Sequence, residues 1–259
     1  MVLAAALIAS PQAKAETVPI PRPAPKARAA AAAQQQPPAD ITGTPLVGTP
    51  PPAFQGGPPT PVLPNPRARA VADGTFDASQ RAQAAKVSNY LSSLPTLVGN
   101  FVQVAPNGNR STGEFYMQKP GKIRFAYDPP TPIDVVSDGT SMVVRDRKLA
   151  TQDIYPLSQT PLRYLLSDRI DLMRDTNVVN VTADDTFITI TIEEKQALIG
   201  TSRLMLMIGA KDNQLKQWTV TDPQGYDTTV AVYNLNTQKK PDPRLFTIDF
   251  TRYDDMRNN

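Results

Sequence analysis

The stretch Gly113-Glu114-Phe115-Tyr116-Met117-Gln118-Lys119-Pro120-Gly121-Lys122-Ile123-Arg124-Phe125-Ala126-Tyr127 decides how this chain folds. Side chains alternate across a strand with period two, so Phe115, Met117 and Lys119 share one face while Glu114, Tyr116 and Gln118 share the other. After Pro120-Gly121 the alternation resumes, with Ile123, Phe125 and Tyr127 opposed to Lys122, Arg124 and Ala126. Two alternating runs separated by a Pro-Gly pair predict an antiparallel hairpin. Its inner face is apolar and carries one cation, Lys119, at its end.

Outward from this hairpin the same period predicts strands at 97–105, 133–137, 141–145 and 150–155, then a second group at 178–182, 187–193, 201–208, 215–221 and 228–235. Turn chemistry such as Pro106-Asn107-Gly108-Asn109, Asp138-Gly139-Thr140 and Asp222-Pro223-Gln224-Gly225 separates them. Short connections imply a meander, and a long meander must curl or close to manage its edges. Ahead of the strands a helix is predicted, capped by Asp77 or Ser79, with Ala82, Ala85, Tyr90, Leu91 and Leu94 on one face until Pro95 stops it. Between the two groups, Ser158–Ser167 has Thr160 as a cap, Pro161 at the first helical position and Leu162, Leu165 and Leu166 on one side. About two turns of helix are too marginal to stand alone, so these leucines must pack on the sheet. The predicted fold class is α+β: a strongly curved antiparallel sheet of about eleven strands, a half-open β-barrel, with an N-terminal helix and short central helices over one face.

Composition bounds the rest. Of 259 residues, 27 are Pro, and 16 of these fall in residues 1–78, which leaves one folded domain near 77–259 behind a Pro/Ala-rich, disordered linker at 16–76. That linker reads either as a spacer or as a docking strip. Residues 1–15, an apolar run from Val2 to Ala9 followed by Ala13-Lys14-Ala15, read as an export signal cleaved after Ala15. The usual basic start is missing, so the start lies upstream of Met1 or the signal is atypical. With no further apolar run of membrane-spanning length, a soluble exported protein is expected.

The chain has no His and no Cys, which removes Ser-His-Asp and Cys-His nucleophile systems, His-zinc sites, disulfides and thiolate clusters. Neither a catalytic residue, a metal nor a cofactor is expected. Lys and Arg total 27 against 24 Asp and Glu, spread without a basic block, so nucleic acid is not expected as a partner. Carboxylate chemistry at Asp184-Asp185 or Glu193-Glu194 remains as a rival, a weak one because adjacent residues of a strand point to opposite faces. By periodicity alone, the apolar face reads first as plain core. Methionines at 117, 142, 173, 205 and 207 suit the alternative, a surface that accepts ligands of variable shape.

The stretch 113–130 with Val136-Ser137-Asp138-Gly139 resembles the signature of the outer-membrane lipoprotein carrier, or LolA-like, family. Supporting segments follow in the family's order: Leu94-Pro95-Thr96-Leu97, Phe101-Val102-Gln103, Thr160-Pro161-Leu162, Trp218 to Gly225 and Asp242-Pro243-Arg244-Leu245-Phe246. The resemblance implies a half-open barrel with helices as a lid over a hydrophobic cavity. It also implies a periplasmic shuttle that takes acylated lipoproteins from an inner-membrane lipoprotein-releasing ABC transporter to the outer membrane, with an outer-membrane acceptor left open. Strand parity then assigns the acyl-chain cavity to Phe101, Phe115, Met117, Ile123, Phe125, Met142, Leu204, Leu206 and Trp218, and the lid to Leu162, Leu165 and Leu166. The family's functional arginine, which ties sheet to lid, corresponds to Lys119, expected here as the latch. A monomer is expected. The alternative function is a lipid- or lipoprotein-sensing module of the same fold that regulates a partner.

Overall fold

The described residues of the computed structural model form eleven strands. The first six are β1 (Thr96–Val104), β2 (Arg110–Gln118), β3 (Lys122–Tyr127), β4 (Ile133–Asp138), β5 (Ser141–Asp146) and β6 (Thr151–Pro156). The second group comprises β7 (Val178–Ala183), β8 (Phe187–Gln196), β9 (Gly200–Gly209), β10 (Leu215–Thr221) and β11 (Asp227–Asn236). The structure describes residues 58–63, 76–196 and 200–250, and these lie in one compact unit. The expected export signal and most of the expected linker fall outside the described residues.

All eleven strands join one open, curved antiparallel sheet in the order β6-β5-β4-β3-β2-β1-β11-β10-β9-β8-β7. Two meanders are thus stitched together where β1 pairs with β11, Phe101 opposite Val232 and Val102 opposite Ala231. β6 and β7 are the two edges, and the helical crossover between them supplies the cover. Within the β2–β3 hairpin, Phe115 pairs with Phe125 and Met117 with Ile123. At its turn, Gly121 holds φ at +75°, and an added Cβ there would sit 2.6 Å from the Cα of Gly139. Only glycine lets the β2–β3 and β4–β5 turns approach that closely.

Helix α1 (Ala78–Ser92) starts at Asp77, whose carboxylate accepts from Gln80 N while the Gln80 side chain accepts from Asp77 N, a reciprocal capping box. Its buried face differs from the predicted one. Ala84, Val87, Ser88 and Leu91 face the sheet, whereas Ala82 and Ala85 are exposed. Alanines weight a helix face weakly, and a serine belongs to the true one because it finds partners there. The central helix is also shorter than predicted. α2 (Leu162–Leu165) is a single turn that starts after Pro161, and the Thr160 hydroxyl turns back to donate to Leu157 O instead of capping forward. A further single turn, α3 (Leu172–Asp175), is capped by Asp171.

Candidate functional site: the covered concave face

The concave face takes alternate residues from both meanders. Phe101, Phe115, Met117, Ile123, Phe125, Met142, Leu204, Leu206 and Trp218 all fall in one buried apolar cluster, and Leu162, Leu165 and Leu166 fall in the same cluster from the helical side. Phe125 is its hub. Its ring meets Phe101 edge-on at 5.2 Å, stacks on Phe115 at 6.4 Å and leans on Trp218 at 6.1 Å. Such aromatic pairs add about 0.5–1.5 kcal/mol each beyond area burial. Of the five methionines proposed for a ligand surface, Met117 and Met142 lie here and Met173 packs at the margin. Met205 and Met207 lie on the opposite face of β9, since Leu204, Leu206 and Ile208 take the inner positions.

Side chains fill the space between sheet and helices. A residual cavity of about 20 Å³ lies between Phe125, Trp218, Val220 and Val230, with Gln103, Tyr127 and Thr228 at its polar side. There the Tyr127 hydroxyl donates to Gln103 Oε1 at 2.7 Å, and burial pushes the tyrosine pKa upward. Nothing larger than about one water fits this interior without displacing side chains. A larger groove of about 820 Å³, between Leu94, Pro95, Gln118 and the 237–243 segment, lies off the apolar cluster and is lined mainly by polar residues and prolines.

The cover is fixed apolar at its centre and polar at its rim. Lys119 is buried, and its Nζ donates to Leu91 O at 2.5 Å. It thus reaches the carbonyl end of α1, where a cation also complements the helix dipole, and not the 162–166 segment. Burial lowers its pKa from 10.5 to about 8, with the Asp168 carboxylate acting in the opposite sense. The bond from the sheet to α2 comes two residues later, from Gly121 N to Leu166 O at 2.9 Å. At the other end of α2, Arg163 Nη1 donates to both carboxylate oxygens of Glu194 on β8, at 2.8 and 2.6 Å, while its guanidinium lies 4.2 Å over the Tyr164 ring. Tyr90 Oη accepts from Leu215 N, and Gln80 Nε2 donates to Val181 O. Within the cover, Ser88 Oγ accepts from Leu172 N and Ser92 Oγ from Ile170 N, so α1 clips the segment that carries α3.

Sequence reasoning missed Arg163, Ser88 and Ser92, and singled out Glu194 only as half of an acidic pair. The two serines left one signal, polar residues four apart flanking Leu91 on a helix. Nothing local pairs Arg163 with a residue 31 positions away. The acidic pairs have structural partners: Asp184 accepts from Thr186 N and Phe187 N in its turn, and Glu193 pairs with Arg203 on the face opposite Glu194. Among the described residues, no group of acidic side chains is placed to hold a metal, and no helix is long and apolar enough to cross a membrane.

An open curved sheet whose apolar concave face lies under a thin, rim-tied helical layer is the architecture of a binding domain. Residues 92–249 match the family described as outer membrane lipoprotein carrier protein LolA, and the chain belongs to that family. An outer-membrane lipoprotein carrier protein of Methylococcus capsulatus is 26% identical over 182 residues, covering 67% of this chain and 86% of that protein. One from Chromobacterium violaceum is 26% identical over 179 residues, covering 66% and 85% respectively. Among solved structures, a LolA superfamily protein from Nitrosomonas europaea aligns over 68% of this chain and 100% of its own, at 9% identity and a TM-score of 0.37.

Proposed function

We propose that this protein is a periplasmic carrier that receives acylated lipoproteins from a lipoprotein-releasing ABC transporter in the inner membrane, shields their acyl chains under the helical cover and passes them to the outer membrane. The observation that carries this reading is the contrast within the site: an apolar layer from Phe101 to Trp218, closed by α1 and two single-turn helices, with the polar bonds Arg163–Glu194 and Gly121–Leu166 tying α2 to the sheet. At about 0.8 kcal/mol per buried CH₂, three acyl chains represent tens of kcal/mol of hydrocarbon that needs shelter from water. Affinity that approached the non-covalent ceiling of roughly −18 to −21 kcal/mol would prevent release. Leu162, Leu165 and Leu166 resolve the conflict. They occupy the acyl site until cargo displaces them, so their return lowers net affinity and makes transfer reversible. In this reading Lys119 latches the cover through α1, and Gly121 and Arg163 latch it through α2.

The test is a titration of the full chain with a soluble triacylated lipopeptide and with its deacylated twin, read by native mass spectrometry. A one-to-one complex that requires the acyl chains is expected, and Leu204→Asp, which places a carboxylate in the apolar layer of the sheet that the chains would contact, weakens it by about tenfold or more. Absence of any acyl-dependent complex overturns the reading. Acyl-dependent binding without delivery to acceptor vesicles would favour the sensing module.

A further inference from the structure

The outer face of β9, β10, β11 and β1 has no part in the cargo reading. Strand parity places Met207, Gln217, Thr219, Thr229, Ala231 and Val102 there, back to back with the apolar cluster. A solvated sheet face normally carries charged and exposed residues. These six are uncharged and buried, Thr219 and Thr229 to 1% exposure and Gln217 to 4%. Thr219 and Thr229 satisfy one another across the strands, hydroxyl to hydroxyl at 2.9 Å.

Strand backbones are already paired with their neighbours, so a peptide lying across the face of a sheet can be read only by side chains. Gln217 does this reading. A carboxamide presents a donor and an acceptor side by side, as a peptide unit does. Its Nε2 donates to Val62 O at 2.6 Å, its Oε1 accepts from Val62 N at 2.8 Å, and Nε2 also contacts Met207 Sδ at 3.4 Å. Val62 thereby exchanges with one side chain the pair of bonds it would exchange with a residue of a neighbouring strand. Pro61 is buried beside it and brings no N–H that would need a partner. On the other side Leu63 borders a pocket of about 330 Å³ between the β1–β2 and β10–β11 turns, lined also by Val104, Pro106, Tyr226 and Thr229. Leu63 remains 60% exposed, so this pocket is underfilled.

The geometry points to a peptide-binding site on the back of the sheet, selective for an extended, uncharged, proline-containing segment, with residues 58–63 as its resident occupant. Two backbone hydrogen bonds and a proline ring give register, and the lack of charge on both sides makes the contact insensitive to salt. The Pro-rich part of the chain therefore meets its own domain on the face opposite the acyl site. Peptide and cargo can then be held together.

Full-length protein tests this directly. Hydrogen exchange should find the Val62 amide protected relative to a free peptide of the same sequence, and Gln217→Ala should abolish that protection while the Thr229 and Ala231 amides keep theirs. A Val62→Pro chain lacks the donor and keeps only the carbonyl contact to Gln217, which loosens the resident segment and lets a labelled peptide of sequence 58–63 compete for Gln217. By fluorescence anisotropy that peptide should bind Val62→Pro at least about tenfold better than wild type, and the added Gln217→Ala should remove the gain. A Val62 amide that exchanges at the free-peptide rate in the wild type overturns the proposal. So does a peptide that fails to bind Val62→Pro, or that binds it equally well with and without Gln217→Ala.

Discussion

On the concave side of β10, Trp218 and Val220 are sealed among apolar side chains; on the convex side of the same strand, Gln217 and Thr219 are just as buried, yet each is held by hydrogen bonds. Burial alone therefore does not separate the two faces. The difference lies in direction. Apolar contact is non-directional and roughly proportional to area, so the concave face suits the exchange of one hydrocarbon surface for another that the proposed function requires. Hydrogen bonds fix position and register, so the convex face suits peptide straps. Residues 58–63 supply one strap through Gln217. The 3₁₀ turn Pro243–Phe246 supplies another over β3 and β4, with Arg124 Nη1 donating to Leu245 O at 3.3 Å, Arg145 donating to Asp249 O, and Phe246 buried.

The sharpest way to break this contrast is to make equivalent deletions on the two faces. Phe125→Ala removes a ring that touches three others, and a loss of about 3–5 kcal/mol is expected from urea denaturation. On the convex side, Thr219→Val strands the Thr229 hydroxyl at 1% exposure and should cost about 1–3 kcal/mol. The double change Thr219→Val/Thr229→Val removes both partners and should recover most of that loss. No such recovery is expected for Phe125→Ala combined with Phe101→Ala. If the threonine pair behaved additively, the convex face would be ordinary apolar core and the distinction would fall.

Much of this contrast was legible in sequence, and the limits have physical causes. A side-chain period of two is a local property, so the eleven strands, the inward set Phe115, Met117, Ile123 and Phe125, and the outward Gln217 and Thr219 follow from alternation. In the run Arg203–Ile208, apolar on both faces, Leu204 and Leu206 lie inside as parity assigned them, while the methionines beside them, Met205 and Met207, belong outside and not to the expected ligand surface. The partners in the long-range hydrogen bonds were out of reach because each bond joins residues distant in sequence. Lys119 to Leu91 spans 28 positions and Val62 to Gln217 spans 155. Pro120-Gly121 announced a turn but not that Gly121 N would bond the cover.

A smaller effect sharpens the comparison at Lys119, the one buried cation among the described residues, which joins the two layers. Its folded pKa is about 8 and its unfolded reference 10.5, so between these values the unfolded chain binds the extra proton and stability rises with pH. Relative to Lys119→Met, in which the tyrosines titrate alike, the wild type should gain on the order of 1 kcal/mol between pH 7 and about 9.5. Paired denaturation curves at the two pH values measure it, and a flat difference would mean that the ammonium is solvated.

The smallest equilibrium effect is expected at Arg163, and it is the most informative about function. The Arg163–Glu194 pair is partly exposed, with side-chain exposures of 29% and 13%, so Arg163→Met should cost no more than about 1 kcal/mol. Opening the cover is a different matter, because α2 is one turn long and cannot hold itself in place. Without Glu194 its restraint on the sheet side reduces to the Gly121–Leu166 bond and the leucine contacts. Trp218 is the single tryptophan of the chain and lies in the concave face, so its fluorescence reports acyl entry without a label. Stopped-flow mixing with a triacylated lipopeptide should show uptake several-fold faster in Arg163→Met, roughly what 1 kcal/mol off an opening barrier gives, with the denaturation midpoint almost unmoved. Glu194→Gln should do the same from the other side of the pair. Unchanged uptake in both would place the moving boundary elsewhere in the cover, at α1 and its Lys119 contact, and leave the α2 rim as a fixed hinge.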